Sequence, residues 1–493
     1  MTTSCPSLRR FALVCVLGPL AGAASGQQPA DDDTAETLGS LRPPEIVPAT
    51  PFAWGMDQRG TVDYELGSGG GWHYWPPVLQ WRYLPWVTSD PLVEVIVYTP
   101  YSGSPDYNER FKFQFPVGAP VQETALVIAF HSWNVSEQQI FNPANIELAQ
   151  QCTEKGWMLL APYGLNQVNF GNEPSQAALE AILALVETFF DFNHDKIYTL
   201  GFSMGGINAA SFAFRHQDPT QERIAGVIYH TGSTDAVRSY VESAPSVQGI
   251  FESAAVFGGS PTQVPFNYDR INPARFLAPI YDTFDEAFTN VNGILDTPWY
   301  LFLNMSDQSK LVGWTIDLKN YMEAKGAADL TTVFTFTGGD DHHLSTMSFK
   351  NALDWAATKE LGPLPTSAEI LADRPAKYLY TELLAAPAQT LSRYDVSVDA
   401  PSNDFSITDT HAVDELGFDL ALMGLDPAFL LTFTSGSGDG TADTYVLQGY
   451  PTAPSSVLAN GNPPAAWSHD AISAELSITP TADGSSASVQ VIP

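Results

Sequence analysis

The stretch Lys196 to Phe214, KIYTLGFSMGGINAASFAF, limits the possible folds more than any other part of this chain. Ile197, Tyr198 and Leu200 are β-formers bounded upstream by the polar loop Asp191 to Asp195, and they predict a buried strand. The run meets Gly201-Phe202-Ser203-Met204-Gly205. Ile207, Ala209, Ala210, Phe212 and Ala213 then predict a helix starting right after the serine. A strand, Gly-x-Ser-x-Gly and a helix in that order describe a nucleophile elbow, a strained turn that lifts the serine hydroxyl clear of a sheet. A Cβ at Gly201 or Gly205 would collide with backbone where strand, turn and helix crowd together. The helix amino end directs partial positive charge at any oxyanion formed beside Ser203. The five-letter pattern alone also suits an ordinary glycine-rich turn; the flanking strand and helix favour the elbow.

Elsewhere strands and helices alternate. Leu92–Tyr98 and Arg110–Phe115 read as an antiparallel pair. The uninterrupted apolar run of TALVIAF, Thr124–Phe130, predicts a central strand buried on both faces. A helix over Asn145–Glu154, a strand over Trp157–Ala161 and an amphipathic helix over Ser175–Phe190, with Ser175 as its N-cap, come next. After the elbow follow strands at Ile224–Tyr229, Trp299–Leu303 and Thr331–Phe336, with a helix at Val312–Lys325. The alternation predicts an α/β, doubly wound, mostly parallel sheet with helices on both faces.

Elbow folds present serine, acid and histidine in that chain order, at the carboxyl ends of successive strands. Ser203, Asp307 and one of His342 and His343 meet the requirement, with His342 preferred for its spacing to Leu344-Ser345. In such a set the imidazole takes the serine proton while the carboxylate holds the tautomer and stabilises the imidazolium. Asp307 has a second reading as a surface-loop aspartate, and Asp340 and Asp341 are local alternatives too close in sequence to the catalytic histidine to reach its Nδ1. Oxyanion amides are expected from Trp133, in the loop His131-Ser132-Trp133-Asn134, and from Met204. His73, His194, His216 and His230 read as structural.

GFSMGG after a strand, FHSWN after an earlier one, the Asn-x-x-Asp loop at 304–307 and the late histidine together resemble the α/β-hydrolase family over roughly residues 88–362. The likeness is to secreted esterases of the polyhydroxybutyrate depolymerase, feruloyl esterase and dienelactone-hydrolase-like groups. It implies ester hydrolysis through an acyl-enzyme, with no cofactor and no metal. Trp133 matches an aromatic residue often found at the oxyanion loop of polyester-cleaving members, though Ser132 stands where that loop usually carries glycine.

Four regions flank or interrupt this core. Residues 1–26, with Arg9 and Arg10 before the apolar run Phe11–Leu20 and small residues Ala21–Gly26, read as an export signal, so the product is expected outside the cell or in a periplasm. Residues 27–87 read as an acidic linker and an aromatic-rich extension packed irregularly on the core. An insertion at about 235–296, without periodicity, suggests a lid in which Phe266, Tyr268 and Tyr281 either line the inner surface or hold it together. Residues 363–493, after a short helical piece near Ala368–Ala372, read as an accessory β-sandwich that packs on the core or attaches it to a substrate or surface.

A formal net charge of −33 argues against nucleic acid and anionic membranes as partners and favours neutral esters, small or polymeric. No segment after the signal is apolar enough to span a membrane. Loss of the signal would remove Cys5 and Cys15, leaving Cys152 as a buried hydrophobe and no internal disulfide. Two other functions compete with an esterase. A prolyl-oligopeptidase-type serine peptidase shares the triad order, but the chain lacks a propeller-length N-terminal domain. A non-catalytic binding protein on the same scaffold would not need all three triad types in order.

Overall fold

The computed structural model describes residues 73–493 except 76–78, 85–87, 100, 105, 117–118, 278–284, 338–340, 437–438 and 483. The expected signal, the acidic linker, Phe52, Trp54, Trp72, Trp86, Tyr281 and Asp340 lie outside the described residues.

Ten strands form one sheet: β1 (His73–Trp75), β2 (Leu79–Tyr83), β3 (Leu92–Val97), β4 (Glu109–Gln114), β5 (Leu126–Phe130), β6 (Met158–Pro162), β7 (Ile197–Phe202), β8 (Gly226–His230), β9 (Trp299–Asn304) and β10 (Leu330–Thr335). Their order is β1-β2-β3-β4-β6-β5-β7-β8-β9-β10. β1 to β4 are antiparallel, β4 joins β6 antiparallel, and β5 to β10 run parallel. This is the doubly wound α/β sheet expected. β1 and β2 were expected as irregular packing but are a hairpin extending the sheet, because alternation in LQWRY lets Leu79 and Trp81 enter the core while Arg82 pairs with Glu94 on β3.

Every residue of β5 to β9 is buried, as apolar strands covered on both faces should be. The covering helices include α1 (Ile146–Lys155), α2 (Glu173–Phe189) and α3 (Met204–Arg215). The N-cap of α2 is Asn172, not Ser175. Its side chain accepts the Ser175 amide at 3.1 Å, and Pro174 occupies the first turn, where its missing N–H costs nothing. Cys152 is buried on α1, and desolvation pushes its thiol pKa up, as suits an inert packing residue. Among the described residues, no helix is long and apolar enough to cross a membrane.

Among the described residues between β8 and β9 the chain forms three short α-helices, α4 (Ala236–Val241), α5 (Pro245–Phe251) and α6 (Pro265–Asp269). Each spans about two turns or fewer, too little for periodicity to register in the sequence. Tyr268 lies 4.1 Å from Phe257, ring centre to ring centre, and so holds the insertion together; Phe266 packs instead with Leu371 and Leu391 from the C-terminal region. The next helices are α7 (Leu311–Ala324) and α8 (Phe349–Ala356).

The C-terminal region makes two six-stranded sheets. One is ordered Ser367–Ala372, Ser392–Asp399, Asp404–His411, Leu431–Ser435, Ala487–Ile492, Ser456–Ala459. The other is ordered Ala376–Tyr378, Thr381–Ala385, Glu415–Asp419, Thr444–Gln448, Glu475–Thr479, Ala466–Asp470. The expected helix near 368–372 is thus a strand: all six residues of Ser367–Ala372 pair antiparallel with Ser392–Ser397, and Ile370 and Ala372 enter the core between the sheets. Pairing and burial outweigh the helical propensity of Ala, Glu and Leu. Ile472 is exposed in the turn that precedes the strand Glu475–Thr479.

A buried charge cluster fastens this region to the large sheet's helices. The Arg270 Nε donates to Asp373 at 2.9 Å, Arg215 Nε lies 3.8 Å from the same carboxylate, and the Tyr378 hydroxyl donates to it at 3.1 Å. Beside it, Glu180 on α2 takes Arg374 at 2.5 Å and the His216 ring at 3.0 Å.

Candidate active site

Ser203 follows β7 directly and starts α3, with φ 58° and ψ −119°, a strained conformation for a residue with a side chain. Its amide donates to the His230 carbonyl at 3.2 Å, while its own carbonyl accepts the amides of Gly206 at 3.0 Å and Ser233 at 3.1 Å. The flanking glycines are sterically required: a Cβ on Gly201 would stand 1.8 Å from the Gly205 carbonyl oxygen, and one on Gly205 would stand 2.4 Å from that of Phe130. The second contact presses the elbow against the end of β5, where the 131–134 loop begins.

Asp307 sits in the turn after β9 and His342 in the loop after β10. The His342 Nε2 lies 3.0 Å from the Ser203 Oγ, and its Nδ1 lies 2.5 Å from the Asp307 Oδ2. The structure therefore brings Ser203, Asp307 and His342 together. His343 does not join them; its side chain is 70 % exposed and lies 3.7 Å from Asp341. The Asp307 side chain is sealed from solvent while that of His342 is one-third exposed. Burial opposes the charge on Asp307, but hydrogen bonds from His342 and Ser309 outweigh it and hold the carboxyl below its ordinary range.

Asn304, at the end of β9, donates to the Asp341 carbonyl at 2.9 Å and to Thr337 Oγ1 at 3.0 Å, pinning the histidine loop to the acid turn. Sequence reasoning included Asn304 in the Asn-x-x-Asp loop without giving it this task. His230, read as structural, lies under the cluster: the Phe202 ring is 4.7 Å from His230 and 4.4 Å from His342. Burial, with His342 nearby, depresses the His230 pKa to about 3, so this ring is neutral at ordinary pH.

The amides of Trp133 and Met204 donate to no other described residue. Ser132 takes the position usual for glycine without a positive φ, which falls instead on Asn134 at 56°. The Gln139 side chain locks Ser132 at both ends: its Oε1 accepts the Ser132 amide at 2.8 Å, and its Nε2 donates to the Ser132 Oγ at 2.8 Å. A glutamine seven residues downstream, beside another at Gln138, carries no sequence signal for this. Gln139→Leu is expected to release the loop and lower turnover by up to about a hundredfold with little change in KM, the cost of displacing a positioned group by about 1 Å; steady-state kinetics checks it, and unchanged kcat removes Gln139 from the site. His131 faces away from the relay, its ring nitrogens 2.9 and 2.8 Å from the carbonyls of Ser132 and Tyr163.

The Trp133 ring packs 5.3 Å from Phe170 and 5.8 Å from Phe251, in a cluster that also contains Met204 and Ile207. An aromatic wall therefore adjoins the residue after the serine. A cleft of about 510 Å³ between the large sheet and the C-terminal region has none of these residues in its lining.

No protein-family model matches the chain, and no curated protein matches it by sequence. Solved structures do. The chain is similar to an S-formylglutathione hydrolase from Agrobacterium tumefaciens, with 14 % identity and a TM-score of 0.40 over 56 % of this chain and 97 % of the other. It is similar to FphF, a fluorophosphonate-binding serine hydrolase of Staphylococcus aureus, with 13 % identity and a TM-score of 0.41 over 55 % and 99 %. A truncated carbohydrate esterase from gut microbiota gives 15 % identity and a TM-score of 0.37 over 50 % and 89 %. Likeness at this level leaves the chemistry to be read from the chain's own side chains.

Proposed function

We propose that this chain, an α/β-hydrolase by fold, is an exported serine esterase that cleaves neutral carboxylic esters, small or polymeric. The observation that carries the reading is the continuous relay Ser203 Oγ, His342 Nε2, His342 Nδ1, Asp307 Oδ2, with contacts of 3.0 and 2.5 Å. In the first step the Ser203 oxygen attacks the ester carbonyl carbon as its proton passes to His342 Nε2. The carbonyl oxygen takes the negative charge and is met by the amides of Trp133 and Met204, aided by the amino end of α3. The proton on Nε2 then goes to the leaving alkoxide, which departs as the alcohol. Water, deprotonated by the same imidazole, attacks the acyl-enzyme and releases the acid with Ser203 restored. Asp307, charged and sealed, holds the proton on Nδ1 and stabilises the imidazolium in both halves.

The net charge of −33 supports neutral over anionic substrates. Export rests on the pattern of residues 1–26. The purified chain should turn over a p-nitrophenyl acyl ester and leave a peptide p-nitroanilide uncleaved. Comparable kcat/KM on the anilide would replace the esterase with a peptidase, and no turnover of either would leave a binding protein. Expressed with residues 1–26, the protein should accumulate outside the cytoplasm and lose them, as N-terminal sequencing reads directly; an intact N-terminus in the cytoplasm would remove export.

A further inference from the structure

The far end of β7 from Ser203 carries a second group of interacting side chains that the esterase reading does not use. Glu187 lies in the last turn of α2, His194 in the loop leading into β7, and Glu222 in the loop leading into β8. One nitrogen or carboxylate oxygen from each lies within 4.8 Å of the other two. His194 Nδ1 is 3.5 Å from the Glu187 Oε1 and 4.0 Å from the Glu222 Oε1. The Phe192 ring stacks on the imidazole at 4.8 Å with an interplanar angle of 21°, which sets the ring's orientation.

Two features ask for a cation. The Glu187 and Glu222 carboxylates bring an oxygen of one within 4.8 Å of an oxygen of the other, and two anions that close repel unless a positive charge lies between them. The Glu187 Oε1, the oxygen nearest the imidazole, is closed off from solvent and has no hydrogen-bond partner among the described residues. Donors at about 2.0–2.2 Å from a tetrahedral ion stand about 3.3–3.6 Å apart. The 3.5 Å separation already has that span, and the 4.0 Å one closes to it with a small movement of the exposed His194 side chain.

We propose that Glu187, His194 and Glu222 form a binding site for a zinc-type divalent cation. One imidazole nitrogen and two carboxylate oxygens suit zinc and its first-row neighbours, whereas calcium and magnesium take all-oxygen sets. The exposed side beyond His194 leaves the fourth position to water. The ion ties the end of α2 to the loops entering β7 and β8, the strands that carry Ser203 and His230. Its role is to hold the sheet's amino end, about 20 Å along β7 from the serine, and no step of ester hydrolysis passes through it. The sequence hid this site because its ligands are 7 and 28 residues apart on three unrelated elements, with no cysteine and no paired histidines.

The test uses the full chain stripped with a chelator and titrated with zinc alone. Calorimetry should find one zinc per chain, thermal unfolding should move several degrees upward with zinc, and cobalt should give the visible bands of a tetrahedral site. His194→Ala should weaken zinc about tenfold or more, since even outer-shell partners cost that much. The pair Glu187→Gln and Glu222→Gln should abolish the shift while leaving p-nitrophenyl ester turnover at room temperature unchanged. If the wild type binds no zinc, or the double variant binds it as tightly, the three side chains form an ion pair only and the proposal fails. These readouts do not depend on catalysis, so failure of the esterase reading leaves them intact.

Discussion

His342→Ala should reduce ester turnover by about 10⁴- to 10⁶-fold, the range for loss of one member of a serine relay, and Ser203→Ala should match it. His343→Ala should leave kcat and KM unchanged. The contrast rests on backbone geometry. His343 is extended, with φ −136° and ψ 140°, and successive side chains along extended backbone point to opposite sides. With the 342 ring turned to Ser203 and Asp307, the 343 ring is directed to solvent. The Ser203→Ala and His342→Ala double variant should be little worse than either single one, because the two groups act as a unit. Equal losses in the 342 and 343 variants would dismantle the assignment. Steady-state kinetics on a p-nitrophenyl ester decides it.

The second large effect concerns stability. Asp373→Ala should cost about 3–5 kcal/mol, because it leaves the buried guanidinium groups of Arg215 and Arg270 without their carboxylate. The surroundings are otherwise committed: the Arg215 Nε bonds the Arg270 carbonyl at 2.9 Å and its terminal nitrogen the Asn290 side chain at 2.5 Å. Burial works against charge on Asp373, but Arg215, Arg270 and Arg374 outweigh it and hold the carboxyl far below its ordinary range. The folded pKa is thus below the unfolded one, near 3.9, so this stabilisation is complete well above that value and is lost progressively as pH falls from there through the folded pKa. Glu180, lowered to about 2 by His216 and Arg374 against its own burial, follows the same sign. Urea unfolding should therefore show the wild type losing stability steeply below about pH 4 and Asp373→Ala losing less. A neutral substitution, or an unaltered acid profile, would mean that Asp373 does not help to hold the C-terminal sheets to the rest.

The cluster also decides what the C-terminal region is to the rest of the molecule. Its first sheet reaches the helices beside the elbow through Asp373, and α3, which begins right after Ser203, ends at Arg215. The two sheets are therefore a fixed neighbour of the nucleophile's own helix.

Legibility in the sequence followed the range of the forces involved. The elbow could be read because its glycine requirement leaves a five-residue pattern, although only the Gly201 contact lies within the turn and the Gly205 contact is with the end of β5. The strands β5 to β9 could be read because double-sided burial demands continuous apolar runs. The chain order of Ser203, Asp307 and the histidine pair followed from strand ends. Ser367–Ala372 was misread because its partner, Ser392–Asp399, lies about two dozen residues on and imposes a strand on helix-forming residues. The Ser175 cap was misplaced by three residues because Asn172 and Ser175 are both good cap residues, and Pro174 favours the earlier start.

By itself, then, the sequence determined a sheet with a serine on a strained turn, an aspartate and two histidines after later strands, and an acidic surface. Only the tertiary structure decided which histidine meets Ser203, how far Asp307 is sealed, that Gln139 holds Ser132, and that Arg215 and Arg270 share Asp373. The division has one physical cause. Hydrophobic patterning leaves a periodic trace, whereas a side-chain hydrogen bond or ion pair, whether its partners are seven or more than a hundred positions apart, leaves none and depends on where the folded chain has brought them.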